Sequence, residues 1–268
     1  AELMRTVFTL YVSGFDIINL EATRVTPDQR RTVRDATQGL VGLEVIEETG
    51  DRVVLQDLLD SSELSIHNAI TRMRLVSITM LQDAVTALVE NDDDLATDVI
   101  ERDDDVDRLW FMISRVFRSA LRNPSTAADI GLPRETCFDY HSSARQLERV
   151  ADHAAKIGNH TLELDEVPDE VADALEDLHA EAADIVEMAM DALLEDDGTE
   201  ATRLGNKARE HVREIDQHTR EVDDHIRDMD AERAQQLSLV VDSLSRSADY
   251  GGNIAETALQ KAAPRPEN

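Results

Sequence analysis

LERVADHAAKI (147–157) returns 97 residues later as LSRSADYGGNI (244–254), and ALVENDDDLAT (87–97) returns 105 residues later as ALLEDDGTEAT (192–202). The order of the two runs is kept while the connection shortens, as expected of a duplicated unit whose proline-containing loop has been trimmed. Around these runs the apolar period is helical. SELSIHNAITRMRLVSITMLQDAVTALVE (62–90) opens with a serine cap and sets Ile66, Ile70, Met73, Met80, Ala84 and Leu88 along one stripe. DLATDVIERDDDVDRLWFMISRVFRSAL (94–121) makes a second helix that stops at Asn123-Pro124, and a third runs from near Pro133 to about Leu164. Three more follow Pro168, in the stretches that open PDEVAD, ATRLGN and AERAQQ. The chain therefore reads as mostly α, its six long helices forming two pseudo-repeated three-helix bundles over residues 61–165 and 166–268.

Residues 1–60 read differently, as a small α/β module. AELMRTVFTLYVSG is a short amphipathic helix, and FDIINLEA alternates like a strand. TPDQRRTVRDATQGL opens with a threonine cap and a proline at the first helical position. LEVIEE and RVVLQD then flank the turn TGD, where Gly50 is free to adopt positive φ.

The formal net charge is -30, and only three of the 27 basic residues are lysines. Acids spread through the whole chain, with few lysines, suit a protein hydrated and screened in a salt-accumulating halophile. Such a charge opposes nucleic-acid binding by this chain, because phosphate contacts need clustered lysine and arginine. Cys137 is the only cysteine, so no internal disulfide forms and a reducing compartment, the cytoplasm, is expected. No run of about 18 apolar residues is present to insert in a membrane.

Two carboxylate pairs stand out. Glu148 and Asp152 lie one helical turn apart among alanines, and so do Asp103 and Asp107 in VIERDDDVDRL. Like charges at this spacing repel by a few tenths of a kcal/mol on an isolated helix, so nothing local favours them. Two readings are open: a solvated acidic face in a chain acidic throughout, or pairs from neighbouring helices converging on a hard cation.

VIERDDDVDRL and RQLERVADHAAKI resemble the paired motifs of the PhoU family of phosphate-uptake regulators, over about residues 61–262. The resemblance implies a six-helix protein that binds iron or zinc at these motifs, often dimerises, and restrains high-affinity phosphate import. It implies Asp103, Asp107, Glu148 and Asp152 as metal ligands, with iron, zinc or manganese as the ion and no organic cofactor. The partners it implies are a second copy of the chain and a phosphate transporter, its ATPase subunit or another phosphate-signalling protein. The second repeat departs from the pattern: Val212 and Ser245 stand where Asp103 and Glu148 stand in the first, leaving Glu210, Asp216 and Asp249 for a weaker ion.

The N-terminal module is similar to an archaeal arrangement in which such a half follows a swapped-hairpin DNA-binding domain of the AbrB class. No basic hairpin occurs in these residues, so a transcriptional role would need a domain upstream of Ala1. The other alternative, a carboxylate-bridged metalloenzyme, would use Glu-x-x-His pairs, which the ERDDDVD and LERVADH runs lack, and no Gly-rich phosphate loop or nucleophile elbow is present. His153 and His160, two turns apart, read as surface or core-edge histidines before ligands, and Trp110 and Cys137 as core.

Overall fold

The computed structural model describes residues 2–59, 65–164, 166–227 and 229–264. Among them are nine helices, α1 (Glu2–Val12), α2 (Pro27–Gln38), α3 (Ile66–Glu90), α4 (Asp93–Arg122), α5 (Pro124–Ile130), α6 (Arg134–Thr161), α7 (Asp169–Leu194), α8 (Gly198–Ile226) and α9 (Ala231–Ala262). Three strands, β1 (Ile17–Glu21), β2 (Leu43–Glu48) and β3 (Arg52–Asp57), form one antiparallel sheet in the order β1-β3-β2. The fold is mostly α, with the six long helices expected from the apolar period. The chain divides into two compact units: Ala1–Thr71 with Asp107–His141, and Arg72–Val106 with Ser142–Asn268.

In the first unit, α1 and α2 cover one face of the sheet. Val7, Tyr11, Ile18, Val33, Leu43 and Leu55 bury the contact, and Phe111 of α4 meets Phe8 edge-on with ring centroids 4.9 Å apart. Arg115 of α4 is buried against the module. It donates to the carbonyls of Tyr11 at 2.8 Å and Phe15 at 3.0 Å, and pairs with Asp57 at 2.7 Å and Asp16 at 2.8 Å. A buried guanidinium is tolerable only when its donors are met in this way.

Local signals set the boundaries. Thr26 and Gln29 form a complete capping box on α2. Ser65 accepts from the Asn68 amide at 3.1 Å to cap α3, while Ser62 lies outside the described residues. The β2–β3 turn departs from expectation, because Gly50 does not use positive φ. The Thr49 amide donates to the Arg52 carbonyl at 2.8 Å, and the Gly50 carbonyl accepts from Val25 at 2.8 Å. That contact with the loop before α2 holds the turn in ordinary backbone geometry.

Asn123-Pro124 ends α4 as expected and also starts α5, which was not read from the sequence. Asn123 caps it, Pro124 occupies its first turn, and Gly131 closes it at φ 72°. Seven residues with little apolar periodicity give a sequence reading nothing to detect.

In the second unit, α7, α8 and α9 pack as a three-helix bundle around Leu178, Ile185, Met190, Ile215, Val240, Leu244 and Ile254, all buried. Glycines permit its closest approaches. A Cβ on Gly251 of α9 would lie 2.8 Å from Ile185 Cγ2 and 3.0 Å from the Val186 backbone nitrogen of α7. Likewise a Cβ on Gly158 of α6 would lie 3.0 Å from the Ala96 carbonyl of α4.

The ALVENDDDLAT and ALLEDDGTEAT runs both fall at helix junctions, α3 to α4 and α7 to α8. Asp92 accepts from the Leu95 amide at 2.9 Å, and its match Asp197 accepts from the Thr199 and Glu200 amides at 2.9 Å. The same acid thus caps the second helix of each repeat.

Candidate functional site

The two carboxylate pairs sit where the helical spacing puts them. Asp103 and Asp107 lie one turn apart on α4, both half-buried, Asp103 in the second unit and Asp107 in the first. Glu148 and Asp152 lie one turn apart on α6, in the second unit. Glu148 is buried and bound by the Arg145 guanidinium, one turn earlier on α6. Ala151, Ala154 and Ala155, around this pair, are buried small residues. Within the second unit α6 approaches α4 closely at Gly158, against Ala96 and Ile100. Arg102, beside Asp103, turns to Asp83 of α3 at 2.6 Å and to Asp98 at 2.9 Å. All four candidate ligands offer oxygen, a donor set suited to hard cations such as ferric iron or Mn²⁺ more than to zinc. The residues left for a second ion, Glu210, Asp216 and Asp249, are all exposed.

His153 is buried. Its Nε2 lies 3.3 Å from the Tyr250 hydroxyl of α9, with ring centroids 5.6 Å apart, and Arg149 lies over the same tyrosine ring. Burial pushes its pKa below the ordinary histidine value, helped by Lys156 and opposed by Asp242 and Asp152. Cys137 is fully buried and its thiol pKa is raised by desolvation, as befits a small core residue. Trp110 is half-buried rather than core, its ring 4.8 Å from that of His141.

Sequence reasoning passed over a second cluster. Glu181 of α7 and His211 and Glu214 of α8 each offer a ligand atom, all within 4.8 Å of one another, and His211 Nδ1 lies 2.8 Å from Glu181 Oε1. A signal existed in the sequence: His211, His218 and His225 recur every seven residues, and so share one face of α8. That face is turned to α7, where Glu170 also approaches His225 at 3.9 Å. In the first unit, a cavity of about 260 Å³ lined by Asp16, Asp57, Arg115, Ser119 and Arg122 holds little free chemistry, because Arg115 is spent on Tyr11, Phe15, Asp16 and Asp57.

A long-helix protein with paired carboxylates on its second and third long helices is the class defined by this geometry. Residues 70–161, spanning both pairs, match the PhoU domain family. The fold is similar to that of PhoU from Pseudomonas aeruginosa, at TM-score 0.63 and 22% identity, covering 74% of this chain and 96% of that one. It is also similar to the phosphate transport system regulatory protein PhoU from Streptococcus pneumoniae, at TM-score 0.57 and 20% identity over 72% and 91% of the two chains. No curated protein matches in sequence. Among the described residues no helix is long and apolar enough to cross a membrane.

Proposed function

We propose that this chain is a non-enzymatic, metal-binding regulator of phosphate uptake that works in the cytoplasm through protein partners. The observation that carries this reading is the PhoU domain match over residues 70–161, which encloses both carboxylate pairs, on a fold like that of PhoU proteins. Asp103 and Asp107 with Glu148 and Asp152 would hold iron or manganese, zinc being less suited to an all-oxygen set. Charge repulsion among four carboxylates would be relieved by the ion, coupling metal occupancy to the stability of α4 and α6. A homodimer engaging a phosphate transporter or its ATPase subunit is the assembly that fits this role.

Two measurements test it. Cells lacking the gene should import phosphate at a high rate even when phosphate is plentiful, whereas uptake unchanged by the deletion would overturn the regulatory reading. Elemental analysis after incubation with iron or manganese should show metal in the native chain and a lower metal content in Glu148→Ala with Asp152→Ala. Full occupancy in that double variant would return the four acids to a solvated face.

A further inference from the structure

We infer that Glu181, His211 and Glu214 form a second metal site, for an exchangeable divalent transition-metal ion of the zinc class, chemically distinct from the four-carboxylate site. The donors come from two helices packed side by side, with His211 and Glu214 one turn apart on α8 and Glu181 facing them from α7, all ligand atoms within 4.8 Å. Their backbones are anchored by the core: Ala182 beside Glu181 and Ile215 beside Glu214 are buried, so the separation of the ligands is set by bundle packing.

The donor chemistry selects the ion. One imidazole nitrogen with two carboxylate oxygens suits Zn²⁺ and its neighbours, whereas Mg²⁺ and Ca²⁺ prefer oxygen alone. With the imidazole neutral the three groups carry a charge of about -2, which a dication cancels. Three protein ligands leave a coordination position for water, the pattern of an exchangeable site rather than a closed structural one. His218, one turn beyond Glu214 on the same helix and half-buried, has an Nδ1 with no hydrogen-bond partner among the described residues.

The site does not belong to the duplicated pattern. Val212, next to His211, packs against Gly252 of α9, so the α8 face that matches the carboxylates of α4 looks towards α9, while His211 faces α7. In the first half Val76 stands at the position matching Glu181, so α3 brings no carboxylate there.

Zinc titration by calorimetry in high salt, on the native chain and three variants with circular dichroism as a check of folding, tests the inference. The native chain and Glu148→Ala with Asp152→Ala should both retain a Zn²⁺ equivalent that His211→Ala weakens by about 10-fold or more. Glu214→Gln, at an exposed position where the fold is not at stake, should weaken the same equivalent, and Co²⁺ should report nitrogen ligation in its visible spectrum only when His211 is present. Absence of Zn²⁺ uptake by the native chain, or equal affinity in native, His211→Ala and Glu214→Gln proteins, would overturn the site. Loss of the equivalent in the Glu148/Asp152 variant alone would assign it to the four-carboxylate site and overturn this one.

Discussion

His153 and Tyr250 occupy matching positions of the duplicated run, and they meet: the tyrosine hydroxyl lies 3.3 Å from Nε2 of the histidine. Earlier on α6, Gln146 accepts from Asn253, which follows Tyr250 on α9, at 3.2 Å, and Arg149 lies over the Tyr250 ring, so α6 and α9 run antiparallel across this contact. Matching positions of the two runs thus face each other between α6 and α9. His153 is buried and Tyr250 half-buried, and with the buried Glu148 they are the large polar groups of a run whose other core positions are apolar or small.

The first prediction concerns that contact. His153→Ala and Tyr250→Phe should each destabilise the chain, with a coupling of about 0.5 to 1.5 kcal/mol in a double-mutant cycle by urea denaturation. Strictly additive effects would show that the two rings are neighbours without an energetic link.

Arg115 supports the second. Asp57→Asn leaves a buried guanidinium with weakened compensation, and Arg115→Ala leaves a buried carboxylate, so each should cost about 3 to 5 kcal/mol. Arg115→Met, which keeps the volume but not the charge, should cost as much unless Asp57→Asn accompanies it. Thermal unfolding of the three single variants and the double variant decides this.

Tyr11 supports the third. Its phenol is buried, donates to the Val41 carbonyl at 2.8 Å, and has its pKa raised chiefly by desolvation, then by Asp57, against a lowering by Arg115. A group whose folded pKa exceeds its unfolded value of 10.0 contributes stability fully present below pH 10 and lost as pH rises beyond it. Tyr11 should therefore ionise only above the ordinary tyrosine range, together with unfolding of the first unit, by phenolate difference spectroscopy. Tyr11→Phe should remove that alkaline transition and cost about 1 to 2 kcal/mol at neutral pH.

Adjacent glycines of α9 give the fourth. Gly251→Ala would place its Cβ 2.8 Å from Ile185 Cγ2 and 3.0 Å from a backbone nitrogen of α7, forcing the helices apart at a cost of about 1 to 3 kcal/mol. Gly252→Ala meets only the Val212 side chain at 3.1 Å, which a small rotation relieves, and the better helix propensity of alanine offsets the rest. Melting temperatures should fall clearly for the first variant and stay near the native value for the second.

Salt is the fifth. With a net charge of -30, lowering salt from 1 M to 0.1 M lengthens screening from about 3 Å to about 10 Å and strengthens repulsion among the acids. The melting temperature should fall across that range, and a flat profile would remove the halophilic reading of the composition.

Much of this architecture was legible because its causes are local. Apolar residues at helical spacing, the Thr26 box, Pro124 and Pro168 mark helix starts through interactions within a few residues, and the matched acids Asp92 and Asp197 recur at matched junctions. The pairing of Glu148 with Asp152 and of Asp103 with Asp107 follows equally from the 3.6-residue turn. By itself, then, the sequence determined the six long helices, the Thr26 cap and the one-turn spacing of the acidic pairs. Only the tertiary structure decided which residues meet across helices. His153 finds Tyr250 97 residues away and Glu181 finds His211 30 residues away, because the packing of whole apolar faces, not any short-range preference, sets how helices are rotated against one another. The heptad of histidines on α8 was visible as a spacing, but that it faces carboxylates of α7 is a consequence of burying Ala208, Ile215 and Val222 beside it.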